Sequence, residues 1–378
     1  MRIVLHIGSS KTGTTALQTS LTRQADFLAR QGILYPAVRS RPINHHFLTM
    51  HLRERTGLPR VFHSIYKNRP ELLSRDFEAN WNDVRRQIRK YRPHTLVLSS
   101  ECLFSASDLE RGAEFRDHLR QFSDDISIAA YIRQPSAMYL SGLQQALKSY
   151  GGFHPPTAAN FRQGIEFYET LFGCQVNVAA YDRATLANGD IVTDFVQRHL
   201  PTIDVRQLKF DPLQLNETLS AEIMSILQDY RRVNHSDADN VPSIEHKHFR
   251  MQLQELEHRF GLHRRPSLRE GIGHFVDHAS VDLLWLRETR GITFRGIEYD
   301  AIRPAADNPY QNCSKVSDVC EVDEARRQEI LMRVMKKALT PSIRMPAYMD
   351  TWLRRRLGNR TLRSIHAAMR AVKTRMVG

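Results

Sequence analysis

Residues 1–15 read MRIVLHIGSSKTGTT. Ile3, Val4, Leu5 and Ile7 form a short apolar run of the kind that makes a strand buried on both faces, and Gly8 ends it. The stretch from Gly8 to Thr15 reads as a phosphate-binding loop. Gly8 and Gly13 permit backbone turns that point several N–H groups inward, Lys11 adds a point charge, and Thr12, Thr14 and Thr15 add hydroxyls at the mouth of the next helix. Ala16, Leu17, Leu21, Ala25 and Leu28 recur at helical spacing. That spacing predicts one helix running through Arg30, with the loop at its N-terminal end, where the dipole favours an anion.

Outward from this unit, strands and helices alternate. Strands are expected at residues 33–36, 95–100, 126–132 and 176–181, and helices at 71–91, 108–122, 135–150 and 161–172, with a further helix entered from the Asn44-His45-His46 cluster. Such alternation predicts an α/β fold, a doubly wound parallel sheet flanked by helices. Beyond residue 210 the pattern turns helical (217–233, 243–260, 281–289 and 323–339), with 292–294 as the one strand candidate. The expected organisation is an α/β core over 1–210, a helical cap over 211–340 that continues the same domain, and a basic amphipathic tail over 341–378.

Charge is unevenly spread. The last 38 residues hold nine Arg and Lys against one acid, Asp350, a net +8 of the chain's +13, which leaves +5 for the first 340 residues. This predicts a mildly basic enzyme with a strongly basic tail rather than a basic body, and no nucleic-acid partner. In the tail Leu362, Ile365, Met369, Val372 and Met376 fall on one helical stripe with Arg363, Arg370, Lys373 and Arg375 off it. A stripe of that kind fits a helix docked on its own domain, one paired with a partner, or one lying on an anionic membrane or acidic polysaccharide. Cys102, Cys174, Cys313 and Cys320 form no C-x2-C pair, so neither a disulfide framework nor a zinc site is expected. With the first strand entered after only Arg2 and no apolar run approaching a membrane span, the sequence predicts a soluble cytoplasmic protein, at most peripheral at the inner membrane face.

Ligands of open α/β sheets bind outside the carboxyl ends of the strands. Three chemistry-bearing residues share that address: Lys11 after the first strand, Glu101 after the third and Arg133 after the fourth. Arginine suits a phosphate there because its planar fork donates two parallel hydrogen bonds. Glu101 can serve as a general base, and so can His45 or His46, which come after the second strand; the sequence leaves these alternatives open.

Gly8 and Gly13 have the spacing of a Walker A loop, yet Thr14 and Thr15 stand where an NTPase places Lys and then Ser or Thr. Lys11-Thr12-Gly13-Thr14-Thr15 instead resembles the K-[ST]-G-T-T loop of sulfotransferases that use 3′-phosphoadenosine-5′-phosphosulfate (PAPS). Arg133-Gln134-Pro135 with Ser141 is similar to the family's R-x-P-x5-S element, with Gln134 where Asn is common, and Glu101 has the place of the family's general base. The resemblance implies a P-loop-like fold and transfer of a sulfuryl group from PAPS to a hydroxyl or amine, leaving adenosine 3′,5′-bisphosphate. It implies that Lys11, Thr12, Gly13, Thr14 and Thr15 hold the 5′-phosphosulfate, that Arg133 and Ser141 hold the 3′-phosphate, that Lys11 and Glu101 are catalytic, and that no metal is required. The form His6-Ile7-Gly8 followed by Lys11-Thr12-Gly13-Thr14-Thr15 looks most like bacterial sulfotransferases of surface polysaccharide or glycolipid, which implies a carbohydrate or glycolipid acceptor. Two rival readings are a P-loop nucleotide kinase or NTPase, disfavoured by the lysine position, and a non-enzymatic protein that binds anionic surfaces through its tail.

Overall fold

A computed structural model describes residues 1–53, 71–208, 218–235 and 243–339, together with Phe62, Tyr66 and Arg69. The chain forms two compact units, one from the described residues of 1–138, 157–215 and 274–306, the other from those of 139–156, 216–273 and 307–378. The passage is therefore not a single one near residue 210, because residues 274–306 return to the first unit. The basic tail and its apolar stripe lie outside the described residues.

In the first unit five strands, β1 (Arg2–Gly8), β2 (Ile33–Leu34), β3 (Thr95–Ser99), β4 (Ile126–Ile132) and β5 (Asn177–Ala180), form an all-parallel sheet in the order β2-β3-β1-β4-β5. β1 thus lies in the middle, hydrogen-bonded on both sides, and Ile3, Val4, Leu5 and Ile7 are wholly buried as the apolar run predicts. Side chains alternate across the sheet. Ile3, Leu5 and Ile7 join Leu96, Leu98, Ile128 and Ile132 on one face, where Trp81, Phe115, Ile165, Tyr168 and Leu286 cover them from the helices Glu71–Tyr91, Leu109–Arg120, Arg162–Phe172 and Asp282–Arg290. Val4 joins Val97, Ala129 and Tyr131 on the other, covered by Leu17, Leu21 and Leu28 of Thr14–Arg23 and Ala25–Arg30 and by Phe195 and Val196 of Ile191–His199. Helices on both faces make this a doubly wound sheet.

Three local expectations are corrected. The helix expected through Arg30 is two, Thr14–Arg23 and Ala25–Arg30, broken at Gln24. Near the break Thr22 Oγ1 donates to the Gln18 carbonyl at 2.8 Å, a local bond that competes with the helical ladder. Residues 292–294 are not a strand. Ile292 N–H goes to the Leu286 carbonyl at the end of Asp282–Arg290 and Phe294 N–H to Tyr299 Oη at 2.8 Å, so the two buried apolar side chains plug the core without a sheet partner. The helix expected over 135–150 ends at Ala146. A helix not expected, Ile191–His199, starts where the Asp190 carboxylate accepts from Thr193 N–H at 2.8 Å.

The second unit is helical around Met224, Leu227, Phe249, Leu253, Ile330 and Val334, with an isolated antiparallel bridge between Leu268 and Cys320. Among its buried polar groups, Glu222 is wholly inaccessible and accepts from Arg326 Nη2 at 2.6 Å and from Asp323 N–H at 2.9 Å. Among the described residues no helix is long and apolar enough to cross a membrane.

Several histidines of the first unit, four of them deeply set, are folded in as neutral rings. Burial pushes His6 and His51 down to about 3, and His45 and His199 down to about 4. Their folded values lie below the ordinary 6.5, so the unfolded chain binds more protons, and the stability they leave intact above that pH is lost as pH falls from about 6.5 toward 4. Each costs about 1 kcal/mol per pH unit in that window. The urea midpoint is expected to be flat from about pH 8 to 7 and to fall steeply below about pH 6; a midpoint unchanged down to pH 5 would contradict the neutral burial of these rings.

Candidate functional site

The carboxyl ends of β1, β3 and β4 bring Lys11, Glu101 and Arg133 to one rim. The loop after β1 is shaped by three positive φ angles within six residues, Gly8 at 93°, Lys11 at 67° and Gly13 at 73°. Alternation of this kind turns successive N–H groups toward one side. For Lys11 the left-handed conformation carries a cost of about 1 kcal/mol, and such strain gathers where backbone direction matters to function. Ser9 N–H donates to the Tyr131 carbonyl at 2.7 Å, which ties the loop to β4, and Thr12 Oγ1 closes it on the Ser9 carbonyl at 2.6 Å. The register between β1 and β4 shifts between His6 and Gly8, a bulge at the point where the loop begins.

Gly8 is dictated by its neighbour. A Cβ there would stand 2.7 Å from Glu101 Cα and 2.9 Å from Glu101 Cβ. At Gly13 a Cβ would meet the Tyr181 ring at 2.8 Å. Gly13 also serves as N-cap of Thr14–Arg23, and no side chain caps that helix. Among the described residues no acceptor is bonded to the N–H groups of Gly13, Thr14, Thr15 or Ala16, so the helix start offers unsatisfied donors together with the positive end of its dipole.

Two cations border these donors. Lys11 has no carboxylate within 4.0 Å among the described residues; burial lowers its ammonium below the ordinary lysine range, Glu101 opposes the shift and Arg133 adds to it. Burial likewise lowers Arg133, whose Nη1 donates to the Lys11 carbonyl at 3.2 Å and whose guanidinium lies 5.8 Å from the centre of the Tyr181 ring. Arg133 therefore braces the loop as well as charging it. Next to it, Gln134 Nε2, Ser136 N–H and Ser136 Oγ all bond the buried Asp277 carboxylate, at 2.7, 2.8 and 2.8 Å. The start of the helix Pro135–Ala146 is thus filled by a carboxylate of the protein itself, unlike the start of Thr14–Arg23. Ser141 lies further along that helix, in the stretch that belongs to the second unit, and is not among the residues the first unit brings together.

The alternatives for a base separate here. His45 is wholly buried, its Nδ1 accepts from Ser99 N–H at 2.9 Å and its Nε2 donates to the Pro36 carbonyl at 2.9 Å. Both ring nitrogens are spent, so His45 is a clamp that pins its loop to β3 and has no lone pair for a substrate proton. His46 turns the other way: its Nε2 lies 3.8 Å from Glu101 Oε1 and its Nδ1 pairs with Ser100 Oγ at 2.9 Å. Burial lowers the His46 ring, and the Glu101 charge pulls it back. Glu101 keeps 23 % of its side chain exposed, enough to meet a ligand. Its other oxygen, Oε2, accepts from Gln18 Nε2 at 3.0 Å.

Gln18 and Tyr181 are residues that motif reading does not single out. Gln18 has a sequence signal, a polar residue beside the apolar positions Leu17 and Leu21, four residues after Thr14; Tyr181 has none beyond its place at the end of β5. Among the described residues no three His, Cys, Asp or Glu side chains gather as a metal-ligating set. Comparison of the chain with protein-family models, with curated proteins and with solved structures finds no match in any of the three.

Gly8→Ala is expected to cost about 3 kcal/mol, from left-handed strain plus a backbone collision. Gly142→Ala, in a helix where no described residue comes within 4 Å of the added methyl, should instead stabilise by about 0.5 kcal/mol. Urea midpoints of the two variants check both signs, and equal effects would refute the close approach at Gly8.

Proposed function

We propose that the protein is a PAPS-dependent sulfotransferase with a P-loop-like core. The observation that carries the reading is the convergence on one rim of the sheet of the N–H groups at the start of Thr14–Arg23, which have no acceptor among the described residues, of Lys11 and Arg133, which have no ion-pair partner among them, and of the carboxylate of Glu101. The residues fit such a donor. Among the described residues Ser9 Oγ is buried without a partner and no side chain caps the helix start, and two desolvated cations border it. The N–H groups of Gly13, Thr14 and Thr15 and the Lys11 ammonium would hold the phosphosulfate, with Arg133 on the remaining phosphate; Thr12, which closes the loop, keeps their geometry. PAPS supplies the activated sulfuryl group.

Transfer then needs in-line positioning and stabilisation of the charge that grows on the leaving oxygen. The acceptor oxygen bonds to sulfur while the bond from sulfur to the phosphate oxygen breaks, and that electron pair leaves with adenosine 3′,5′-bisphosphate, where Lys11 meets it. The acceptor proton passes to Glu101. The acceptor in this reading is a carbohydrate or glycolipid hydroxyl, and the enzyme is cytoplasmic with its basic tail available for an anionic surface.

Adenosine 3′,5′-bisphosphate without magnesium is expected to raise the Tm, because a ligand that binds only the folded state adds about 2.7 kcal/mol at a hundred times its Kd. Lys11→Ala and Arg133→Ala should each remove most of that rise. Stabilisation by magnesium-ATP with none by the bisphosphate would overturn the reading in favour of a kinase or NTPase.

A further inference from the structure

Gln18 is only 1 % exposed, on the face of Thr14–Arg23 that packs against the sheet. An amide buried there is costly unless it is hydrogen-bonded. Its Nε2 spends its two protons on two acceptors, Ser99 Oγ at 3.1 Å and Glu101 Oε2 at 3.0 Å. Ser99 Oγ is in turn bonded to His6 Nδ1 at 2.8 Å, and His6 and Ser99 are register partners in the middle of the sheet. Burial keeps His6 neutral. A chain of hydrogen bonds thus runs from the rigid centre of β1 and β3 through Gln18 to the carboxylate at the rim, and its last member is the charge-assisted, stronger bond.

The chain matters because of a second group near Glu101, one that no carboxylate approaches within 4.0 Å among the described residues. Lys11 is a half-desolvated ammonium without an ion-pair partner among the described residues, and it and Glu101 attract each other. An untethered carboxylate beside such a cation would close onto it. Pairing would silence both groups at once, the cation that an anion needs and the carboxylate that a proton needs.

We propose that Gln18 is a positioning residue that tethers Glu101 away from Lys11, so that the helix that holds the donor at its first turn also holds the base at its second. The proposal rests on the sulfotransferase reading for the roles of Lys11 and Glu101. The tether itself is a statement about three side chains.

The test is a double-variant cycle read by calorimetric binding of adenosine 3′,5′-bisphosphate to the full-length protein at pH 7.5. Gln18→Met, close in length and without donors, should weaken binding about tenfold, because Glu101 then occupies Lys11. Glu101→Gln alone should not weaken it, and Gln18→Met placed on Glu101→Gln should have no further effect. Equal weakening in both backgrounds would mean that Gln18 only packs, and would overturn the proposal. If Gln18→Met fails to fold, Gln18→Leu takes its place in the cycle. An independent arm needs no ligand: with 15N-labelled glutamine, the side-chain amide signal assigned to Gln18 by its loss in the variant should move upfield in Glu101→Gln, where the charged acceptor is gone. A signal that stays in place overturns the tether. Absence of bisphosphate binding to the unaltered protein, with the amide signal moving as expected, would overturn the sulfotransferase reading and leave the tether standing.

Discussion

Glu101 sits against the spot where residue 8 would carry a side chain. The ends of β1 and β3 can come this close only because Gly8 has no Cβ and adopts a φ of 93°, and a methyl there would fall 2.7 Å from the Glu101 backbone. Everything at the rim inherits its position from that contact. It sets the loop of Lys11 beside the carboxylate, it places Gln18 within reach of Glu101 Oε2, and it lets the Ser100 N–H continue the sheet by donating to the His6 carbonyl at 2.9 Å. A central strand hydrogen-bonded on both sides cannot shift to relieve a collision, so the constraint falls on the one residue type that avoids it.

The second constraint is electrostatic. Lys11 and Arg133 are both pushed down by burial, and neither has an ion-pair partner among the described residues. Desolvated cations without a counter-charge are costly unless something anionic is to be bound, and the strained backbone at Lys11 adds to that cost. Elsewhere in the first unit comparable charges are satisfied internally. Asp194 is gripped by Arg198 at 2.6 Å and Tyr131 Oη at 2.7 Å, and Asp277 fills the start of Pro135–Ala146. Among the described residues of the first unit, the contrast marks the loop after β1 as a place where positive charge is left without a counter-charge.

The strands are legible in the sequence because each is a short apolar run closed by a residue that stops it: 126–132 matches in full, and β1 ends at Gly8 as expected. Strand order is not legible, since four of the five strands are similarly apolar and nothing local says which neighbour each takes. The absent strand at 292–294 turns on individual hydrogen bonds, from Ile292 to Leu286 and from Phe294 to Tyr299, that take up the backbone donors a strand would need. Of the site, Lys11, Glu101 and Arg133 can be placed together from topology alone. Gln18 cannot, because its role depends on a residue 83 positions away that only the folded sheet brings beside it. The return of residues 274–306 to the first unit, with Asp277 bonded to Ser136, is equally invisible to a reading that takes the chain in order.

His45 and His46 show how far adjacency in sequence is from equivalence in chemistry. Successive residues in an extended or turning segment face opposite ways, so one ring points into the sheet and the other toward the rim. The inward ring meets a backbone donor and a backbone acceptor, a pairing that fixes one tautomer and consumes it. The outward ring keeps Nε2 directed at Glu101 across 3.8 Å, a gap longer than a hydrogen bond. In the proposed reaction an acceptor hydroxyl approaching from the side of that gap could bridge both groups. Gln18 holds one carboxylate oxygen, and the other faces His46 without a hydrogen bond among the described residues. The division of labour between the two oxygens of a single side chain comes from which element each one faces.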